Sequence, residues 1–123
     1  MELTSNVKVT RLEAALTILV AATGIIHIGV GLTAEYQMLT LAGAGFIGGA
    51  GLFLAGPRLD DAAGLEQGFN RAALSGLVLP YTGYQFVAYY TLYGFTGSPV
   101  AAADKLVQTG ILAVSSLYLY RKL

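Results

Sequence analysis

Residues 12–32 read LEAALTILVAATGIIHIGVGL. Apart from Glu13 at its edge, this stretch carries no charged side chain over a length close to the roughly 20 residues that a helix needs to cross the hydrocarbon core of a bilayer. It is too long for the apolar run of a cleaved signal peptide, which covers about 7–15 residues, although Lys8 and Arg11 precede it. A retained transmembrane helix is therefore expected. Three further stretches of the same kind follow, at 38–56, 72–93 and 100–120. The fold expected is all-α: a polytopic membrane protein made of one four-transmembrane-helix bundle spanning residues 1–123.

Composition agrees. Of the 123 residues, 55% are hydrophobic and 11% charged, and the mean hydropathy is +0.65. Soluble domains carry about 25% charged residues. A formal net charge of zero argues against a nucleic-acid partner, because phosphate binding needs a surplus of Lys and Arg. The absence of cysteine removes disulfides, thiolate metal sites and Cys nucleophiles. With no tryptophan, an aromatic belt has to come from the eight tyrosines and five phenylalanines.

Basic residues orient the chain. Lys8, Arg11, Arg58, Arg71, Arg121 and Lys122 fall on one side of the expected spans, and Lys105 alone on the other. Since short cytoplasmic loops concentrate Lys and Arg, both termini and the 57–70 loop are expected in the cytoplasm. That loop, PRLDDAAGLEQGFN, reads as a solvated connector. On the other side, Ser98 and Pro99 read as the cap and first turn of the last span.

The second stretch, LAGAGFIGGAGLFLAG, is rich in small residues: Gly45 and Gly49 form a GxxxG pair, and Ala44 and Gly48 a parallel one. Gly24 and Gly31 share a face of the first stretch with Glu13, Thr17 and His27. Small residues let membrane helices approach closely, so Gly24, Gly31, Gly45, Gly48 and Gly49 are the expected packing surface, either inside one bundle or between two copies.

Polar groups inside spans are few, and each is informative. At a rise of 1.5 Å per residue, His27, Gln85, Tyr89, Asp104 and Gln108 reach similar depths in the outer half of the bilayer, with Tyr81 below them. They form a candidate ligand pocket open to the outside. Pro80 removes one backbone hydrogen bond from its helix and would open room beneath this group. Structural alternatives stand beside that reading: His27 as interhelical glue, Gln85 paired with Gln108, Tyr89 in an aromatic belt, and Asp104–Lys105 as a hydrated helix start. Glu13 is expected at the cytoplasmic boundary, hydrated. No resident cofactor and no metal are expected, since one histidine and no cysteine fall short of a ligand set. Haem would require His27 from two protomers to meet, or a ligand from another subunit. Nothing couples a serine to His27 and an acid, so no catalytic residues are assigned.

Four motifs carry a resemblance: Thr23-Gly24 with His27 and Gly31; the run Leu41-Ala42-Gly43-Ala44-Gly45-Phe46-Ile47-Gly48-Gly49; Pro80-Tyr81-Thr82 with Gln85; and Asp104-Lys105 with Gln108. In these the chain resembles a family of small, uncharacterised four-helix membrane proteins of haloarchaea. The resemblance implies an archaeal cell membrane and supplies no activity. The function expected is a non-enzymatic membrane protein, acting as a homo-oligomer or as an accessory subunit of a membrane complex. The alternative is a binder or transporter of a quinone- or isoprenoid-like molecule in the outer-half pocket. A proton or ion route along His27 and Asp104 is the third and weakest, because few charges line it.

Overall fold

The computed structural model describes residues 9–33, 35, 37–93 and 99–122, with the side chains of 89–93 and 101 outside the description. These residues form five α-helices and no strand. They are α1 (Arg11–Thr33), α2 (Gln37–Leu54), α3 (Gly56–Ala63), α4 (Phe69–Tyr93) and α5 (Pro99–Lys122). The shortest of the four long helices, α2 with 18 residues, covers about 27 Å at the α-helical rise. Two of them, α1 and α2, are long and apolar enough to cross a membrane. Helices α4 and α5 are as long, with 25 and 24 residues, and carry more polar side chains.

Local sequence explains the helix ends. Thr10 caps α1: its Oγ1 accepts the backbone N–H of Glu13 at 3.2 Å, while Glu13 Oε1 accepts that of Thr10 at 2.9 Å. This reciprocal capping box satisfies two amides left over at the first turn. Pro99 opens α5, as expected of a residue with fixed φ and no N–H to lose. Ser98 lies outside the described residues.

The 57–70 stretch departs from a solvated connector. It contains α3, which ends at Gly64 in the left-handed region (φ +69), where glycine pays no steric penalty. The chain then turns back through Gly68 (φ +96). Asp60, fully buried, holds this turn together. Its carboxylate accepts the amides of Gly68 and Asn70, each at 2.9 Å, and the Asn70 side-chain amide at 2.6 Å. Burial pushes the Asp60 carboxyl upward, but these hydrogen bonds outweigh it and hold the group below its ordinary 3.8.

Helix α1 is central. It packs along α2 on one side and along α5 on the other, α5 packs on α4, and α4 touches α2 more lightly. The α1–α2 contact is built on glycine: a side chain at Gly43 would run into the Gly24 carbonyl and Ile28, and one at Gly31 into Thr40. An aliphatic and aromatic core of Leu16, Val20, Phe46, Phe53 and Ile111 fills the middle.

Burial is inverted relative to a protein in water. Among the described residues ten polar or charged side chains are buried against seven hydrophobic ones, while large apolar side chains such as Ile18, Ile25, Leu77 and Leu106 are more than 60% exposed. Buried polar residues and exposed large apolar ones are the informative departures from the ordinary pattern.

Candidate functional site

The interior polar residues gather at two levels. The first holds Thr23 and His27 of α1 and Asp104, Lys105 and Gln108 of α5. Thr23 donates its hydroxyl to Asp104 Oδ1 at 2.6 Å. His27 Nδ1 lies 2.8 Å from the Thr23 carbonyl. Because a carbonyl only accepts, Nδ1 carries a proton in this contact. The same Nδ1 is 3.7 Å from Asp104 Oδ1, and the ring leans against Phe46 with centroids 5.5 Å apart. Lys105 Nζ donates to Gln108 Oε1 at 2.7 Å, approaches Asp104 Oδ2 at 3.7 Å and sits over the Phe86 ring.

The sequence grouping of His27, Asp104 and Gln108 thus becomes one tight cluster, with two differences. Asp104 is not a hydrated helix start; it is buried and bonded to α1. Gln85 is half-buried, and among the described residues no hydrogen bond joins it to Gln108, whose oxygen is taken by Lys105. The side chain of Tyr89 lies outside the described residues. His27, at 5% exposure, faces inward, which removes the arrangement in which two such imidazoles meet across a symmetric interface.

The second level lies at the other end of the helices. Arg71 of α4 is buried. Its guanidinium donates to Glu13 Oε1 (3.1 Å) and to the Phe53 (2.8 Å) and Leu54 (3.0 Å) carbonyls at the end of α2, and stacks over the Phe53 ring at 5.4 Å. Tyr118 of α5 donates to Glu13 Oε2 at 2.7 Å. All four long helices meet here through one ion pair. Sequence reading missed this cluster. Arg71 reads as a loop charge and Glu13 as a hydrated boundary group; the structure buries both, and Tyr118 with them. The signal available was the Thr10-x-x-Glu13 capping pattern, which ties Glu13 to the α1 start. The partnership with Arg71, 58 positions away, leaves no local trace.

Between the two levels, Ser115 donates to the Ser75 carbonyl at 2.5 Å, linking α5 to α4. One register step outward along this antiparallel pair, Thr82 and Gln108 stand level with each other. Both are fully buried, and among the described residues Thr82 Oγ1 and Gln108 Nε2 find no hydrogen-bond partner. No three of the described His, Asp and Glu residues gather closely enough to hold a metal ion.

A cavity of about 150 Å³ opens on the opposite flank, between α1, α2 and α4. Leu16, Val20, Phe46, Phe53 and Val78 line it, and Gly45 and Gly49 complete its α2 side. It lies just inward of Pro80, where room was expected. Among the candidate ligand residues whose side chains are described, Tyr81 alone lines it; His27, Gln85, Asp104 and Gln108 do not.

The small residues divide by role. Gly24 packs against Ile47 and the Gly43 carbonyl, Gly31 against Thr40, and Gly45 against Tyr81, whose hydroxyl donates to the Ala42 carbonyl at 2.8 Å. These are contacts within one chain. At Gly48 and Gly49 an added Cβ would meet nothing within 4 Å. Comparison of the chain with protein-family models, curated proteins and solved structures gave no match.

Proposed function

We propose that this is a multi-pass membrane protein in which α1, α2, α4 and α5 are four spans, and that it acts as a non-enzymatic assembly element joining a second copy of itself. The inverted burial supports the membrane reading, since hydrocarbon solvates the exposed leucines and isoleucines while the helices satisfy each other's polar groups. The exposed basic residues Arg11, Arg58, Arg121 and Lys122 gather at one end of the helices and support a cytoplasmic orientation of that end and of both termini. In the setting that the family resemblance implies, the membrane is that of an archaeal cell.

The observation that carries self-association is the outward face of α2. Leu41, Ala44, Gly48 and Gly51 are exposed and follow helical spacing, and at Gly48 and Gly51 an added Cβ meets nothing within 4 Å. A neighbouring backbone can therefore come close along this line, and close packing is the main force that joins helices in a bilayer. Gly45, the first glycine of the GxxxG pair, is already used inside the chain by Tyr81, which shifts the outward seam to the Ala44–Gly48 pair.

Single-molecule photobleaching of labelled protein in liposomes tests this. The wild type is expected as dimers, Gly48→Phe as monomers, and Gly29→Phe, on the open outer side of α1, as dimers. A wild type that stays monomeric at every protein-to-lipid ratio, as it would if a different subunit occupied this face, refutes self-association. So does a Gly48→Phe variant that dimerises normally.

A further inference from the structure

We infer that the cavity between α1, α2 and α4 is a binding site for one hydrocarbon chain of a membrane lipid, entering sideways between α2 and α4. This goes beyond self-association and uses a different face of α2. Three observations choose the occupant.

The first is chemical. Every hydroxyl in the lining is already committed to a backbone carbonyl: Thr17 to Glu13 at 2.8 Å, Ser75 to Ala72 at 2.9 Å and Tyr81 to Ala42 at 2.8 Å. No charged side chain lines the cavity. An uncharged wall with its donors engaged complements hydrocarbon and recognises no polar headgroup. The second is size. About 150 Å³ is the scale of an apolar cavity that stays dry and admits a benzene-sized group. That is room for a segment of one chain and too little for a fused ring system.

The third is access. Helices α2 and α4 touch only lightly, and at Gly49, beside Phe46, Ala50 and Phe53 in the α2 wall, an added Cβ would meet nothing within 4 Å. Leu77, which lines the cavity, is also 64% exposed at its rim. A chain dissolved in the bilayer core therefore reaches the site without crossing polar surface. Filled, it covers apolar walls that would otherwise face a void, which packed protein interiors avoid.

The site is tested by native mass spectrometry of the protein released from nanodiscs of dioleoyl phosphatidylcholine. Wild type is expected to retain one lipid per chain. Gly49→Phe, whose ring would grow into the cavity, is expected to retain at least ten-fold less. Gly48→Phe, which disrupts the proposed dimer face, is expected to keep its lipid, so failure of one reading is distinguishable from failure of the other. A wild type that retains no lipid, or a folded Gly49→Phe that retains as much, overturns the inference. Should Gly49→Phe not fold, the wild type decides through a phosphatidylcholine carrying a diazirine in its chain. Adducts concentrated on residues 45–50 and 74–81 support the site; labelling spread evenly to exposed residues such as Ile18 and Leu106 overturns it.

Discussion

Replacing Arg71 with methionine keeps a flexible chain of similar length in place and removes every donor. In the folded protein this strands the Glu13 carboxylate at 4% exposure with Thr10 and Tyr118 as its remaining partners, and it leaves the Phe53 and Leu54 carbonyls without the guanidinium. Breaking a buried ion pair from one side costs about 3–5 kcal/mol, because the abandoned charge stays desolvated. The expected loss for Arg71→Met is therefore about 3–5 kcal/mol. Removing both charges leaves no stranded ion, so Glu13→Gln/Arg71→Met should cost less than the sum of its parts, with a coupling of about 1–3 kcal/mol. Reversible unfolding in dodecyl maltoside–dodecyl sulfate mixed micelles, followed by far-ultraviolet circular dichroism, measures all four corners of the cycle. The reasoning is refuted if Arg71→Met stays within about 1 kcal/mol of wild type, below the range for a buried pair, or if the two substitutions add.

Three further outcomes are expected. Asp60 has a depressed folded pKa, so its carboxylate stabilises the α3–α4 turn above its ordinary 3.8 and loses that effect as pH falls from there through the lower folded value; the protection of the Gly68 and Asn70 amides against exchange, relative to the intrinsic rate at each pH, should start to fall only below 3.8, and a loss of protection beginning near neutral pH would contradict it. Gly45→Ala drives a methyl against the Tyr81 hydroxyl and should destabilise by about 1–3 kcal/mol, largely relieved in a Tyr81→Phe background; equal losses in both backgrounds would place the strain elsewhere. Thr82→Val removes a buried hydroxyl that has no partner among the described residues and should leave the unfolding midpoint unchanged or raise it, whereas a loss beyond about 1 kcal/mol would reveal a hydrogen bond to that hydroxyl.

The positions of the long helices were readable because each depends on a run of adjacent residues. The stretch 12–32 became Arg11–Thr33, and 100–120 became Pro99–Lys122. The grouping of His27, Asp104 and Gln108 followed from helical rise and face alone. The short α3 was not read, since eight residues with two acids and an arginine look like a solvated loop until the buried Asp60 is seen gathering the amides of the following turn.

What the sequence determined by itself, then, is an all-helical chain, most apolar in α1 and α2, with small residues along α2 and polar positions on α1, α4 and α5. Which polar groups share a proton or a charge was decided only by tertiary packing. Glu13 on α1 and Arg71 on α4 look like boundary charges one helix at a time, yet their pairing locks four helices together at one end. Gly43 and Gly45 likewise sit two residues apart in one glycine run, but one meets α1 and the other Tyr81. The physical reason is range. Helix formation is written in contacts three and four residues apart, whereas an ion pair or a close backbone approach depends on the rotation and register of separate helices, and the packing of the whole set decides those.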